Sequence, residues 1–568
     1  MYFRALAADY DGTLALHGAV DERTIRALQR LRQAGRRIIL VTGREMQELR
    51  HVMPDLTLFD RVVAENGGVL YDPAAGLEQA LGPGPPPALV QTLMERGVEP
   101  LSVGRTVLAT WQPHGPAVLS AIAELGLDHQ IILNKGAVMV LPAGVNKATG
   151  LAAALRQLGL SAINVVAVGD AENDLAFLST SGCSAAVANA LPSVKAACDL
   201  VMAKDHGAGI VELVERMLRD DAALVPRERR GVSLGIDIAG EPAWLTPQES
   251  LLIAGGSGSG KSRFASLLTE RMLDQGFAVC ILDSEGEYET LEGAVAIGDE
   301  TRPGSVVEAV RLIAQGINVV LGTVAIDLDA RRRLFERLVP RLLALRKSRG
   351  RPHWLVVDEA HHYLPSGMAS TDGAIARGQG GLVLATVDPD WLARPVVDAV
   401  DHVLAFGSAA EDVLARCAGA SIAPRADVPT LGPDQALLWS RATPEALRIL
   451  RIAAPRRAHR RHQGKYAVGD VGEAHSFYFA WSPDGRLHRA CNLTEFIAKA
   501  ASVPDVVWKR HLRAGDFAAW FLHVIRDEEL CRLAREVAHD RGISARDGRH
   551  RIEAAIRARY AIPGSGEG

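Results

Sequence analysis

The sequence predicts an α/β protein with several domains, and three observations lead to that prediction. Over the first 220 residues, short apolar strands such as Ile38 to Val41 alternate with amphipathic stretches such as Glu22 to Gln33, as in a parallel sheet covered by helices. A second series of this kind runs from about residue 232 to 455, before a region that is mostly helical after about residue 492. At 568 residues, the chain is also far longer than one hydrophobic core normally supports.

Changes in composition place the domain boundaries. We predict one α/β domain over residues 1–220, a second over residues 232–455, and a small, mostly helical C-terminal domain over residues 471–568. The charged segment 221–231 and the basic segment 456–470 are predicted to be linkers.

Composition also narrows the class of protein. A net charge of -4 gives no global field that would draw the chain to nucleic acid or to an anionic membrane. The six cysteines contain no C-x-x-C pair, which argues against a zinc site and a disulfide framework and favours a reducing cytoplasm. No apolar stretch approaches the roughly 18 to 20 residues that a membrane helix needs. We therefore expect a soluble, cytoplasmic protein without a membrane partner.

Two carboxylates, Asp9 and Asp11, directly follow the first predicted strand. Open α/β sheets bind ligands at the carboxyl ends of their strands. An aspartate there can attack phosphorus, and a second one two positions on can protonate the leaving oxygen and then activate water. Taken alone, the D-x-D-G tetrapeptide is equally well explained as a polar turn closed by glycine.

Three further segments, each at the end of its own predicted strand, make chance a poor explanation. Thr42 offers a hydroxyl for phosphate oxygens, and Lys147, at the start of a predicted helix, offers a cation to offset the phosphoryl charge. Asp170 and Asp174 bring two more carboxylates, which with Asp9 make an oxygen-rich site suited to Mg²⁺. Taken alone, Lys147 would be a solvated helix lysine, and the last two aspartates would be a helix cap.

With these four segments, the first 220 residues resemble a haloacid dehalogenase (HAD) superfamily phosphatase. The resemblance implies a Rossmann-like domain in which Asp9 is the nucleophile and Asp11 the general acid/base. It also implies that Thr42 and Lys147 bind phosphate. The implied ligands of Mg²⁺ are Asp9, Asp11 through its carbonyl, Asp170 and Asp174.

The resemblance also implies an inserted α+β cap domain. The Glu65-Asn66-Gly67-Gly68 turn and an insertion at about residues 72–142 resemble the branch whose cap lies between the second and third motifs. That branch includes sugar-phosphate and phosphoglycolate phosphatases. The GPGPPP segment, Gly82–Pro87, cannot continue a helix or a central strand and marks a turn or the entry into this insertion. The expected substrate is a small phosphate monoester. Because caps choose substrates, the sequence leaves open whether it is a sugar phosphate or phosphoglycolate.

A nucleotide-binding P-loop is predicted in the second domain. Residues 255–262 match G-x-x-x-x-G-K-[ST] after an apolar strand and before a helix-like run, the context that this motif requires. Lys261 would reach the β and γ oxygens of ATP, and the Ser262 hydroxyl would ligate Mg²⁺. Backbone contacts to phosphate are expected at Gly255, Gly258 and Gly260. The alternative is a plain glycine-rich connector.

An apolar strand, Trp354 to Val357, ends in a second acid pair. Asp358 is suited to bind Mg²⁺, and Glu359 to orient the attacking water. With the LDSEGEY run at residues 282–288, this pair resembles the HerA/FtsK-like branch of P-loop ATPases, which includes ring-forming DNA translocases and leaves a homo-oligomer open. That branch usually carries a Thr-Gln sensor pair, whereas this sequence has Thr386-Val387, and valine cannot hydrogen-bond a γ-phosphate.

Three functional hypotheses follow. The first is a Mg²⁺-dependent phosphatase acting through an aspartyl-phosphate, with an attached ATP-hydrolysing module that governs its activity or assembly. The second is a nucleic-acid motor whose accessory phosphatase acts on nucleic-acid ends or nucleotides. The near-neutral charge and Val387 weigh against it. The third is a nucleotide-gated interaction module with little turnover. The C-terminal pattern from His511 to Trp520 resembles a small domain of unknown function and brings no chemistry.

Overall fold

A computed structural model shows how the chain folds. It describes residues 2–256, 259–299, 301–368, 375, 378–418, 431–432, 434–453, 466–467, 471, 473, 476–480, 487–525, 527–540 and 542–560. These residues form an eight-stranded, an eleven-stranded, a four-stranded and a two-stranded sheet, which confirms the predicted α/β class. Within these ranges, no helix combines the length and the apolar character needed to cross a membrane.

The first 220 residues contain twelve of the described strands. They are β1 (Ala5–Ala8), β2 (Arg37–Val41), β3 (Arg61–Ala64), β4 (Val69–Asp72), β5 (Leu77–Ala80), β6 (Ser102–Val103), β7 (Leu108–Trp111), β8 (His129–Asn134), β9 (Ala137–Pro142), β10 (Val165–Gly169), β11 (Cys183–Ala186) and β12 (Leu200–Val201). The α-helices are α1 (Glu22–Gln33), α2 (Met46–Val52), α3 (Pro87–Glu95), α4 (Gly115–Glu124), α5 (Lys147–Leu158), α6 (Leu175–Thr180), α7 (Pro192–Ala197) and α8 (His206–Asp220).

The eight-stranded sheet has the order β12-β11-β10-β1-β2-β3-β4-β5 and is parallel from β12 to β3. Its central strands are buried on both faces because helices cover both sides, so they are continuously apolar. Helix α1 has the predicted bounds: the Asp21 carboxylate accepts the N–H of Thr24 at 2.8 Å, and Leu28 and Leu31 face the core.

The inserted subdomain starts later than predicted. Strand β5 lies within the predicted insertion, 72–142, but it pairs with β4 and extends the large sheet. The separate sheet has the order β6-β7-β9-β8, and α3 and α4 pack against it. We therefore define the cap as residues 82–142, in which the segment Gly82–Pro87 leads into α3.

Eleven strands lie among the described residues of the second domain. They are β13 (Val232–Asp237), β14 (Pro242–Leu245), β15 (Ser250–Ala254), β16 (Val279–Asp283), β17 (Ala294–Ile297), β18 (Asn318–Gly322), β19 (Trp354–Val357), β20 (Leu382–Thr386), β21 (His402–Phe406), β22 (Gln435–Ser440) and β23 (Arg448–Arg451). Its α-helices, with the short one that precedes them, are α9 (Arg227–Arg230), α10 (Lys261–Asp274), α11 (Val306–Ala314), α12 (Leu328–Arg349), α13 (Arg394–Ala399) and α14 (Ala410–Ala418).

Those strands form one sheet in the order β14-β13-β23-β22-β21-β15-β20-β19-β16-β18-β17. It is parallel from β17 to β21 and antiparallel beyond β21, so an antiparallel edge extends the predicted parallel sheet. The P-loop strand β15 lies at its centre between β20 and β21, which places its carboxyl end among several other strand ends.

The C-terminal region forms a hairpin followed by helices. Its elements are β24 (Phe477–Ala480), β25 (Leu487–Ala490), α15 (Leu493–Ser502), α16 (Asp505–Ala514), α17 (Asp516–His523), α18 (Glu528–His539) and α19 (Ala545–Arg559). The aromatic residues Trp508, Phe517 and Phe521 are buried in its core. Apart from residues 466–467, the predicted basic linker 456–470 lies outside the described residues.

The predicted linker 221–231 packs firmly against the first domain. Arg229 donates from Nε to the Asp199 carboxylate at 2.9 Å and from a terminal nitrogen to the carbonyl of Ser181 at 2.7 Å. Arg230 donates to the same carbonyl at 2.8 Å. The segment is held against the first domain, because its arginines donate hydrogen bonds to carbonyls and pair with a carboxylate of that domain.

The two large sheets dock through the amino ends of their strands. Asn164 precedes β10, and its Oδ1 lies 3.0 Å from Nε2 of His353, which precedes β19. Since Nδ1 of His353 accepts the N–H of Ala278 at 2.8 Å, Nε2 carries the proton and donates to Asn164. Arg4, which precedes β1, donates to the carbonyl of Arg346 at 2.8 Å. The carboxyl ends of the two sheets therefore face away from each other.

Gly350 lies at this docking contact and leaves no room for a side chain. Its φ is +76°, and a Cβ atom there would lie 2.3 Å from Oδ1 of Asn164. We expect Gly350→Ala to lower the Tm by several degrees, because the left-handed backbone and the clash both oppose alanine. Gly276 is the matched control: its φ is also +76°, but a Cβ there would meet nothing within 4 Å.

Thermal unfolding of the two variants separates the contributions. Gly276→Ala reports the backbone cost alone, about 1 to 2 kcal/mol. Gly350→Ala should lose clearly more, and equal losses of Tm would contradict the docking contact.

Candidate functional sites

A buried cluster of opposite charges lies at the carboxyl end of the first sheet. Asp9 follows β1, Asp170 follows the adjacent strand β10, and Lys147 opens α5, which Asn146 caps. Nζ of Lys147 lies 2.6 Å from Oδ1 of Asp9 and 2.6 Å from Oδ1 of Asp174. None of these four charged residues is more than 5% exposed. The fold thus brings together the residues that the sequence placed at separate strand ends.

Three of these residues could hold a divalent cation. Asp9, Asp170 and Asp174 each offer one oxygen, and the three atoms lie within 4.8 Å of one another. The carbonyl of Asp11 lies at the same place, since one ammonium donates to it and to Asp170, at 2.9 Å each. Burial, followed by the charge of Asp174, raises the pKa of Asp9 to about 7, with Lys147 opposing. A cation would favour the ionised carboxylates, and this set of hard oxygen donors fits Mg²⁺.

Two cations that sequence reasoning did not select also contact this site. Arg44 donates from Nε and a terminal nitrogen to both carboxylate oxygens of Asp11, at 2.6 and 2.7 Å, while its N–H donates to Oγ1 of Thr42 at 3.2 Å. Lys135, at the tip of the β8–β9 hairpin, is the ammonium that donates to Asp11 and Asp170. Arg44 lies two residues after the predicted phosphate-binding Thr42, so the sequence offered a signal for it. No local pattern marked Lys135, because only the placement of the cap brings this residue to the site.

The Glu65 turn fastens the cap over the site. The Glu65 carboxylate is buried and accepts the N–H groups of Arg105, Thr106 and Val107 at 3.1, 2.8 and 3.1 Å. It also accepts the hydroxyl of Thr106 at 3.0 Å. The next residue, Asn66, donates from Nδ2 to the sulfur of Met139 on β9 at 2.8 Å. The sequence marked this turn only as a family resemblance, and its contacts with the cap give it a physical role.

The carboxyl end of the second sheet carries the P-loop and the second acid pair. Nζ of Lys261, the first residue of α10, lies 2.8 Å from Oε1 of Glu359. Burial alone would lower the pKa of Lys261, but Glu359 and Asp358 outweigh it and raise that pKa. Of the predicted P-loop residues, Gly258 lies outside the described residues, and those described are Gly255, Gly260, Lys261 and Ser262.

Asp358 has the environment expected of a ligand to a hydrated cation. Its Oδ1 is buried and has no hydrogen-bond partner among the described residues. Burial, followed by the charge of Glu287, raises the pKa of Asp358 well above its usual range. A buried oxygen without a partner is costly unless a ligand satisfies it, and the Mg²⁺ that accompanies ATP would do so. The neighbouring Glu359 has φ +42°, a strained backbone conformation of the kind that clusters at functional sites.

A histidine lies between the acid pair and β20, the strand after which the sequence has Val387 in place of a glutamine sensor. Nδ1 of His361 lies 3.4 Å from Oε2 of Glu359 and 3.2 Å from Oγ1 of Thr386, the last residue of β20. The Asp-Glu-Ala-His run contained this histidine, but its contact with Thr386 depends on β19 and β20 being neighbours. Thr386 and Glu359 therefore both lie close to Nδ1 of His361.

Comparisons with known proteins match both halves of this description. The family model for haloacid dehalogenase-like hydrolases matches residues 6–79 and 124–214, and the model for the central domain of helicase HerA matches residues 247–340. A phosphoglycolate phosphatase of Methanothermobacter thermautotrophicus is 30% identical over 224 residues, which cover 38% of this chain and 99% of the relative.

A phosphoglycolate phosphatase of Aeropyrum pernix is 31% identical over 234 residues, which cover 38% of this chain and 93% of the relative. A solved haloacid dehalogenase-like hydrolase from Bacteroides thetaiotaomicron is 19% identical and covers 38% of this chain and 99% of that chain, with a TM-score of 0.34.

Replacing Lys147 tests the charge cluster. Lys147→Met leaves the buried carboxylates of Asp9 and Asp174 without their shared cation, and breaking such a pair costs about 3 to 5 kcal/mol. We expect a marked fall in Tm in EDTA, whereas Lys204→Met, at an exposed lysine, should leave Tm nearly unchanged. Added Mg²⁺ should restore part of the loss by neutralising the same carboxylates. Equal Tm values for the two variants in EDTA would be the contrary result.

Proposed function

The chain belongs to the haloacid dehalogenase-like hydrolases through residues 6–79 and 124–214, and we propose that it hydrolyses a small phosphate monoester with the help of Mg²⁺. It is a phosphoric monoester hydrolase that also contains a HerA-type P-loop domain. The observation that carries the proposal is the buried cluster of Asp9, Asp170, Asp174 and Lys147 at one strand end. The substrate is of the sugar-phosphate or phosphoglycolate type, as the relatives are named phosphoglycolate phosphatases.

In the proposed mechanism, Asp9 is the nucleophile. Its carboxylate attacks phosphorus, the bond to the ester oxygen breaks, and Asp11 gives that oxygen a proton. Asp11 then takes a proton from the water that cleaves the aspartyl-phosphate, which releases phosphate. Arg44 donates a hydrogen bond to each oxygen of the Asp11 carboxylate and so fixes the orientation of that side chain.

The remaining residues of the site bind and orient the phosphoryl group. Thr42 offers its hydroxyl and Lys147 its ammonium to phosphoryl oxygens. The carboxylates of Asp9, Asp170 and Asp174 and the carbonyl of Asp11 would hold Mg²⁺. When bound, Mg²⁺ neutralises the charge that builds up between the phosphoryl oxygens and these carboxylates.

We further propose that the P-loop domain binds and hydrolyses ATP. Backbone groups of Gly255, Gly258 and Gly260 and the ammonium of Lys261 would bind the phosphates, a step in which Lys261 leaves Glu359. The nucleotide's Mg²⁺ would be held by Ser262 and Asp358. Once free of Lys261, Glu359 can orient the attacking water, with His361 beside it.

The docking of the two sheets supports a regulatory role for the ATPase domain. Asn164 and His353 directly precede the strands β10 and β19, and Asp170 and Asp358 directly follow them, so the two sites are joined through two strands and one buried hydrogen bond. Burial, followed by the charge of Arg351, lowers the pKa of His353 to about 3, which keeps the ring neutral and the hydrogen bond intact. Each site lies roughly 17 to 20 Å from this contact, given about 3.3 Å per residue of strand.

The second candidate function is a nucleic-acid motor with an accessory phosphatase that acts on nucleic-acid ends or nucleotides. The match of residues 247–340 to the HerA central domain favours it, and a homo-oligomeric ring would accompany it. The two candidates differ in whether duplex DNA stimulates ATP hydrolysis.

Two variants separate the two reactions. Asp9→Asn should abolish hydrolysis of 4-nitrophenyl phosphate, since it removes the nucleophile, and leave ATP hydrolysis within about twofold of wild type. Lys261→Ala should do the reverse, because it removes the cation that binds the β and γ phosphates. Both reactions are measured in the same preparation, with and without duplex DNA. Phosphatase activity that survives Asp9→Asn would remove this site from the reaction, and stimulation by DNA would favour the motor.

Replacing His353 tests communication between the sites. If the ATPase domain regulates the phosphatase, a non-hydrolysable ATP analogue should change kcat or KM for the phosphate ester in the wild type. His353→Phe keeps a ring but removes both hydrogen bonds, so this change should disappear while each separate activity remains. The control is His51→Phe, at an exposed position of α2, which should keep the effect. An analogue that leaves the wild-type phosphatase unchanged would contradict regulation.

A further inference from the structure

Lys135 brings a cation from the cap into the phosphatase site. Its ammonium donates to the carbonyl of Asp11 and to Oδ2 of Asp170, at 2.9 Å each. Its own side chain is 53% exposed, whereas that of Asp170 is 6% exposed, so the ammonium stands at the mouth of the site with its acceptors beneath it.

The turn that carries Lys135 is well defined. Asn134 pairs with Ala137, so only Lys135 and Gly136 form the loop between β8 and β9, with φ +48° and +88°. Two left-handed residues make the tight turn that suits a hairpin, in which asparagine followed by glycine is the usual pair. Lysine in the first position of this turn has a strained, left-handed backbone conformation, and such strain concentrates at functional sites.

The hairpin is also held in place from both sides. Trp111 lies on the neighbouring strand β7, with its ring 3.8 Å from where a Cβ of Gly136 would be. On the core side, Asn66 binds Met139 of β9, and Glu65 binds the loop at Thr106. Rotation of the Lys135 side chain can therefore change the partner of the ammonium while these contacts of the hairpin stay in place.

Mg²⁺ and this ammonium compete for the same oxygens. The carbonyl of Asp11 and the carboxylate of Asp170, which Lys135 occupies, belong to the set that fits the metal. Two cations a few ångströms apart in a partly buried site repel each other strongly. Once Mg²⁺ binds, the Lys135 ammonium must turn away and needs another anion.

The leaving group of the substrate is the group that the displaced Lys135 ammonium would contact. In an in-line displacement, the nucleophile Asp9 and the leaving oxygen stand on opposite sides of phosphorus. Asp9 is 5% exposed at the base of the site, so the leaving group points towards the cap and Lys135. On the core side, the charge of the phosphoryl group is already met by Lys147.

We propose that Lys135 is a specificity-determining residue that selects phosphate esters whose leaving group carries a second anion, as the carboxylate of phosphoglycolate does. This inference rests on the proposed phosphatase function and chooses between the two substrate types that function leaves open. An uncharged sugar gives the ammonium only hydroxyls, whereas a carboxylate or a second phosphate gives a charge-assisted hydrogen bond.

The experiment compares three esters on the full-length protein with Mg²⁺: 2-phosphoglycolate, its uncharged counterpart 2-hydroxyethyl phosphate, and ethane-1,2-diol bisphosphate. Lys135→Gln should lower kcat/KM for 2-phosphoglycolate about tenfold or more, mainly through KM, and change that for 2-hydroxyethyl phosphate less than about threefold. Lys135→Arg keeps the charge and should keep the preference. The matched control is Arg96→Gln, at an exposed cap arginine paired with Glu124.

The bisphosphate identifies the preferred anion. A loss on both anionic esters supports a receptor for any second anion, and a loss on 2-phosphoglycolate alone supports selection of carboxylate. Equal losses on the charged and uncharged esters, or no loss on either anionic ester, would overturn the proposal.

Binding of Mg²⁺ gives a readout that does not depend on activity. In a calorimetric titration without substrate, Lys135→Gln should bind Mg²⁺ several-fold more tightly than wild type, because the competing ammonium is gone. Unchanged or weaker binding would overturn the competition. A wild type that hydrolyses 4-nitrophenyl phosphate but prefers 2-hydroxyethyl phosphate refutes this inference alone. A wild type inactive on every ester refutes the proposed function itself.

Discussion

The first site depends on one buried ammonium, that of Lys147. Two carboxylates, Asp9 and Asp174, would repel each other in an environment that excludes water, and the lysine between them at 2.6 Å from each makes their proximity tolerable. Burial lowers the pKa of Lys147, but the charges of Asp174 and Asp9 outweigh it and raise that pKa, so the group stays charged. Helix α5 supplies this charge from a fixed point, because Asn146 caps its first turn by accepting the N–H groups of Ala148 and Thr149.

The second site repeats the same physical arrangement on another sheet. Lys261 opens a helix, is almost fully buried and pairs with a glutamate that follows β19, which β20 separates from the P-loop strand β15. In both sites, the lysine pairs with carboxylates. When a phosphate group and its metal bind, the lysine would pair with the phosphate and the metal with the carboxylates. Parallel strands bring the acids to one edge of each sheet, and the lysine opens the helix after the P-loop strand β15 in the second site and the helix after the cap strand β9 in the first.

The docking of the two sheets gives the chain its functional geometry. The contacts around Asn164 and His353 join the amino ends of the strands, so the two sites face opposite directions and do not share a pocket built from those strand ends. An influence of one site on the other would pass through this interface, which includes the buried hydrogen bond between Asn164 and His353 and the contact of Arg4 with Arg346. For this reason, we connect the ATPase domain with regulation rather than with a shared substrate.

The sequence by itself determined the α/β class and the residues that stand at the ends of several strands, because apolar strands followed by Asp9, Asp170 or Asp358 are local patterns. It also gave the observed bounds of helix α1, since capping and amphipathic spacing are local features. Tertiary structure alone decided which distant groups meet. Lys135 reaches Asp170 because the cap folds over the sheet, β5 joins the large sheet because β4 offers it an edge, and His353 meets Asn164 because two domains dock. Each of these contacts depends on the relative placement of segments far apart in the chain, which no local pattern encodes.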